Sequence, residues 1–178
     1  MSLSKTTGPE GSAESAVVFN GTSYLTNENR VSYPGEFTVL FWVKSVNFLV
    51  HMIQPVASII GLLPSESLDI YFNDSDTLSV GNCDTAISSL GSEWMLYSIV
   101  RDSDDTLHVY EGVNEVGSFS DFSGLFGGLS IQIGSIDGSY SSNMTVSGVK
   151  VVPRAYSQAD IAFHFNDTLN NAGKVTWP

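Results

Sequence analysis

Apolar and polar positions alternate along most of this chain in short runs broken by turn-forming residues. The clearest example is residues 93–113, EWMLYSIVRDSDDTLHVYEGV. Trp94, Leu96 and Ser98 alternate with Met95, Tyr97 and Ile99, and Leu107, Val109 and Glu111 alternate with His108 and Tyr110. A period of two places successive side chains on opposite faces of a sheet, so two strands are predicted. Asp102-Ser103-Asp104-Asp105 between them is polar and rich in residues that bond their own backbone, which makes it the turn of an antiparallel hairpin. Glu111-Gly112 supplies a second turn.

The same pattern predicts strands at 16–19, 24–26, 36–44, 56–60, 67–72, 78–81, 127–134 and 144–152, with Asn20-Gly21-Thr22, Pro34-Gly35, Pro64-Ser65-Glu66 and Asn73-Asp74-Ser75-Asp76 as turns. Residues 36–44, EFTVLFWVK, are β-branched and aromatic almost throughout and form the strongest strand; Phe37 and Trp42 within it are expected in the core. One short amphipathic helix is expected after Ser157. That residue caps it with Asp160 three positions on, and Ile161 and Phe165 share a face. Many short strands, one small helix and no alternation of strands with helices require two antiparallel sheets packed face to face. The expected layout is an N-terminal arm at 1–15 lying outside the sandwich, one β-sandwich domain at 16–165 and a tail at 166–178.

Several dispersed motifs carry a resemblance. VVFNGTSYLT is similar to the opening of the laminin-G-like family, in which an apolar-Phe-x-Gly turn precedes an aromatic strand; Phe37, Thr38, Trp42, Val43 and Lys44 fall in register with its next strand. GGLSIQIG ends in Ile-Gly as that family's strand does, and the closing Arg154-Ala155 before a Ser-capped helix resembles its ending. Ser147-Gly148 departs from the pattern, standing where the family commonly has an acidic pair. The resemblance covers residues 17–165 and implies an all-β, two-sheet antiparallel β-sandwich, a concanavalin A-like jelly roll, with one short C-terminal helix.

Charge narrows the partners. Seven Lys and Arg against 19 Asp and Glu give a formal net charge of −12, and no Lys or Arg lies between Ser45 and Val100. Nucleic-acid phosphates require a basic stripe, so nucleic acid is excluded as a partner. Cys83 is the only cysteine, which rules out an internal disulfide and a cysteine-based metal cluster. Asn-x-Ser/Thr sequons at Asn20, Asn73, Asn143 and Asn166 matter only in a glycosylating secretory route. Residues 48–63 are apolar but too short, and His51, Gln54 and Pro55 interrupt them, so no membrane span is expected. The first fifteen residues hold no apolar core of a signal peptide.

The resemblance raises glycan hydrolysis, which needs two carboxylates facing across the scissile bond. Glu66 and Asp69 sit three apart on a strand and point to opposite faces, and a turn separates Glu111 from Glu115, so no enzyme is expected. His51, His108 and His164 lie near no nucleophile signature. Acidic turns provide oxygen ligands for calcium, Asp74 and Asp76 or Asp102, Asp104 and Asp105, but such turns are common and no cofactor is expected.

Binding or assembly remains. The first reading is a structural or adhesion module of a virion surface, such as a phage decoration or fibre protein, or of another extracellular assembly, in which the jelly roll contacts neighbouring chains in a homo-oligomer. The alternative is a carbohydrate-binding module, with Asp137, Tyr140 and Asn143 at a loop rim and Tyr140 stacking on a sugar. The apolar stretch 47–55, NFLVHMIQP, either continues a strand over the core or docks on another chain. On the second option Phe48, His51 and Met52 form the partner interface.

Overall fold

The run FTVLFWVK has no polar face because both of its faces are covered. In the computed structural model it forms a strand in the middle of a seven-stranded sheet. Phe37, Val39, Phe41 and Val43 point into the core between two sheets, while Leu40 and Trp42 point outward beneath a helix. The structure describes residues 4–11, 13–20, 25–33, 35–44, 57–63, 70–72, 77–80, 83–86, 92–120, 126–133, 135–136, 140–141 and 143–170.

In chain order the strands are β1 (Ser4–Thr6), β2 (Ala16–Asn20), β3 (Leu25–Tyr33), β4 (Phe37–Lys44), β5 (Ala57–Leu63), β6 (Ile70–Phe72), β7 (Leu78–Val80) and β8 (Cys83–Asp84). They continue with β9 (Met95–Arg101), β10 (Leu107–Glu111), β11 (Asn114–Phe119), β12 (Phe126–Ile133), β13 (Ser135–Ile136), β14 (Tyr140–Ser141) and β15 (Asn143–Val152), before the helix α1 (Gln158–Asn170). One sheet has the order β1-β2-β15-β4-β9-β10-β11 and the other β3-β12-β5-β6-β7-β8; β13 and β14 form a separate pair. Every pairing among the described residues is antiparallel.

The core joins Phe19, the inward residues of β4, Tyr97 and Ile99 of β9, Leu107 and Val109 of β10, and Met144 and Val146 of β15 to Ile70, Leu78 and Val80 of the second sheet. This is the two-sheet antiparallel sandwich expected from the alternation, with the one C-terminal helix, and it agrees with the jelly roll that the resemblance implies. A second apolar cluster lies on the outer face of the seven-stranded sheet, where Leu40, Trp42, Leu96, Val100 and Tyr110 receive Tyr156 and Ile161.

Four local expectations change. Residues 1–15 were expected to lie outside the sandwich, yet Ser4–Thr6 pairs with β2 as an edge strand, because an exposed edge offers its backbone groups to any nearby segment. β3 runs to Tyr33, since pairing with β12 holds a polar segment that lacks a period of its own. β11 follows the Glu111-Gly112 turn, although as an edge strand it shows little apolar alternation. The helix continues past residue 165 to Asn170. Residues 47–55 lie outside the described residues. Among the described residues, no helix is long and apolar enough to cross a membrane.

Candidate functional site

A cavity of about 460 Å³ opens on the outer face of the seven-stranded sheet. Its floor comes from β4 and β9: Trp42 stands opposite Leu96 in the ladder, with Leu40 two residues along on the same face. One wall is the C-terminal half of α1, through His164, Asp167 and Thr168, and the other combines Glu10, Glu14 and Ser15 of the β1–β2 loop with Ser147, Gly148 and Lys150 of β15.

Each wall has a local cause. The pairing of β15 with β4 slips between Ser147 and Lys150, and Gly148 there has φ +58°, a bulge that an isolated glycine in a strand often marks. A Cβ on Gly148 would sit 3.5 Å from the Trp42 ring, in ordinary van der Waals contact with it. The β1–β2 loop is held by Ser15, whose Oγ accepts from the Gly8 amide at 2.9 Å and whose carbonyl accepts from the Ser147 hydroxyl at 2.9 Å. A Cβ on Gly8 would collide with Ser15 Oγ, the atom that accepts from the Gly8 amide. Glu14 adopts φ +61°, a left-handed backbone that costs a non-glycine residue about 1–2 kcal/mol.

The helix wall is fixed at its start and along its sheet-facing side. At its start, Ser157 and Asp160 exchange the expected capping bonds: the Asp160 amide donates to Ser157 Oγ at 3.2 Å, and the Ser157 amide donates to the Asp160 carboxylate at 2.9 Å. Thr38 Oγ1 on β4 donates to the Arg154 carbonyl at 2.8 Å and accepts from the Tyr156 amide at 2.9 Å, which ties the segment before the helix to the sheet. Phe165 stacks on Trp42 with ring centroids 5.5 Å apart, and His164 lies parallel to Tyr156 at 5.2 Å. Burial, then the nearby Lys150 ammonium, pulls the His164 pKa below its ordinary value, so its imidazole is uncharged at neutral pH.

A second polar cluster sits at the end of the β9–β10 hairpin. Asp102 Oδ1 accepts from the Asp104 and Thr106 amides at 2.9 and 3.0 Å; His108 contacts Asp102 through Nε2 at 3.1 Å and Glu115 through Nδ1 at 2.8 Å. Partial burial opposes the charge on both groups, but the bonds and neighbouring charges prevail, lowering the Asp102 pKa and raising that of His108. Asp102 is therefore committed to the turn and to His108, and Asp105 pairs with Arg101, which spreads the acidic turn among protein partners instead of gathering it around a cation. Among the described residues no three His, Cys, Asp or Glu side chains form a metal-ligand set. Glu111 accepts from the Tyr97 hydroxyl at 3.0 Å while Glu115 faces His108, so these two carboxylates serve different partners.

The residues singled out in the sequence fall elsewhere. Tyr140 begins β14, and Asn143 begins β15 opposite Asn20. Asp137, the acidic pair Asp74 and Asp76, and the interface candidates Phe48, His51 and Met52 lie outside the described residues. The described residues that line the cavity come from other segments. Its lining was missed because it is gathered from five separated segments. The one signal within reach was Ser147-Gly148, a glycine interrupting the alternation of MTVSGVKVV.

No protein-family model matches the chain, and no curated protein does. Solved structures do. Domain 4 of AbnA, an extracellular arabinanase from Geobacillus stearothermophilus in complex with arabinotriose, is similar at TM-score 0.72 and 16% identity, over 91% of this chain and 80% of that one. A native heptameric SAP-like pentraxin from Limulus polyphemus is similar at TM-score 0.61 and 16% identity, over 83% and 79%. The botulinum neurotoxin serotype G binding domain is similar at TM-score 0.64 and 14% identity; 88% of this chain is covered but only 44% of that one, so the chain spans less than half of its length. At these identities the likeness is one of fold, a β-sandwich.

Proposed function

We propose that the chain is a non-catalytic glycan-binding module and that the outer-face cavity is where it binds. The observation that carries the reading is the cavity itself, an apolar floor of Leu40, Trp42 and Leu96 rimmed by carboxylates, hydroxyls, Lys150 and His164. Apolar surface with a few convergent polar groups at this volume suits a small ligand, and the C–H face of a sugar ring packs on apolar and aromatic side chains while its hydroxyls meet a polar rim. The fold likeness to a domain seen with arabinotriose supports the same reading. On this reading the module binds without turnover, as an attachment element outside the cell or on a virion.

A glycan array followed by calorimetry on the intact chain tests this. Thr168→Trp plugs the cavity from the helix side; it is expected to stay folded and to lose binding. An array with no saccharide bound, or full affinity in the plugged variant, counts against the proposal.

The assembly role expected from the sequence is the second reading. Its support is the likeness to a heptameric pentraxin, and on this reading Phe48, His51 and Met52 contact a second copy. Light scattering separates the two: a monomer that binds sugar favours the first, a closed oligomer the second.

A further inference from the structure

We propose that Lys150 is the donor that orients the ligand in the cavity, and that the bulge at Gly148 is what aims it there. This deepens the glycan-binding reading and rests on it. From Ser147 to Lys150 the chain of β15 advances three residues, while the partner positions on β4, Trp42 and Leu40, lie two apart. The extra residue is Gly148, at φ +58°. Val146, Val149 and Val151 pack on the core between the sheets, whereas Ser147 and Lys150 line the cavity and Val152 packs beneath the helix. A regular strand through all these residues would keep positions an even number apart on one face, sending Lys150 to the core beside Val146. An unpaired ammonium there carries a large desolvation penalty, so the left-handed residue at 148 is what delivers Lys150 to the outer face. The bulge also bends β15 and sharpens its twist, which turns the side chains on either side of it.

The walls call for such a donor. The carboxylates of Glu10, Glu14 and Asp167 only accept, and the hydroxyls of Ser147 and Thr168 already give their protons to the Ser15 and His164 carbonyls. A saccharide brings ring and bridging oxygens that accept and cannot donate. Lys150 offers three N–H donors, and among the described residues no hydrogen bond or ion pair engages them. Its ammonium stands near enough to His164 on the opposite wall to depress that imidazole's pKa. A charge-assisted bond from Lys150 to one of these oxygens fixes which way the ring lies over Leu40 and Trp42.

Calorimetry of the intact chain with the β-linked tetramers of glucose, xylose, mannose and N-acetylglucosamine tests the inference. The probe is whichever of them wild type holds most tightly, or the saccharide bound on the glycan array where none of them binds. Lys150→Met is expected to weaken its binding at least about tenfold, the loss of one charge-assisted bond, and Lys150→Arg to retain most of it. Deleting Gly148 makes the ladder regular while Ser147 and Lys150 stay on the outer face, so this variant is expected to melt no lower than wild type and yet to bind more weakly. Added to Lys150→Met, the deletion is expected to cost little more affinity, because both act through one ammonium. Gly148→Ala, which strains the left-handed backbone, gives the same test where the deletion does not fold. Without ligand, the His164 pKa followed by NMR is expected to rise in Lys150→Met and in the deletion. Full affinity in Lys150→Met, or equal losses in the Met and Arg variants, overturns the role of Lys150; additive losses in the double variant, or an unmoved His164 pKa in the deletion, overturn that of Gly148. Should binding survive Lys150→Met and be abolished by Thr168→Trp, the donor falls and the glycan-binding module stands; if no saccharide binds at all, both fall.

Discussion

Glu14 sits at φ +61°, where glycine would be free of steric cost, and its side chain lines the cavity. Glu14→Gly removes about 1–2 kcal/mol of backbone strain and gives back about 0.5–1 kcal/mol through the greater freedom of the unfolded chain. The melting temperature is therefore expected to hold or rise slightly while ligand affinity falls; Glu14→Ala keeps the strain and loses the same affinity. A clear fall in melting temperature for the glycine variant would show that Glu14 has a structural role. His108 gives a second prediction at this scale. Its pKa is raised in the fold, so its contribution is complete below the ordinary value of 6.5 and is lost as pH rises through the folded value. The Asp102 pKa is lowered, so its contribution is complete above 3.8 and is lost as pH falls through the folded value. The pair therefore supports the hairpin best in mildly acidic solution. The stability gap between wild type and His108→Gln should shrink from about pH 6 to about pH 9 in parallel melts; a gap that stays constant excludes the protonated imidazole as its source.

Among the elements, the approach to α1 is tied to the sheet beneath it through Thr38. Thr38 is fully buried and serves two backbone groups of the segment leading into the helix. Thr38→Val keeps the shape but leaves the Arg154 carbonyl and the Tyr156 amide without that partner, at a cost of about 1–3 kcal/mol each when buried. Since α1 forms a wall of the cavity, the variant should also weaken ligand binding while the sheets remain intact, a result that hydrogen exchange confined to 153–170 would report. How much of this was readable follows from the same residues. The alternation in β4, β9, β10 and β15 exposed the sandwich because each of these strands buries apolar side chains between the sheets, and Ser157 with Asp160 exposed the helix start because capping is local chemistry. β1, β3 and β11 were obscured or cut short because partners across the sheet hold them more than their own pattern does. The cavity was hidden for a related reason: Glu10, Trp42, Ser147 and Asp167 share no spacing along the chain and meet only once the bulge at Gly148 and the helix have been placed.

For the whole molecule, the antiparallel pairing of β2 with β15 has a mechanical consequence. Ala16, where β2 begins, pairs with Ser147, and β15 runs on from there to Val152 and the helix, so the outgoing ends of both strands lie toward the same end of the ladder. Once β1 and α1 have come away, tension applied through the two termini pulls these ends apart and breaks the Ala16–Ser147 pair first, then Val17–Val146, one rung after another. A ladder loaded this way opens like a zip and never has to shear all its bonds together. Drawn between its ends in an optical trap, the molecule should yield at a lower force than when handles at Asn20 and Val152 load the same ladder lengthwise. As an attachment element it would therefore give way under tension before a lengthwise-loaded sandwich of equal thermodynamic stability.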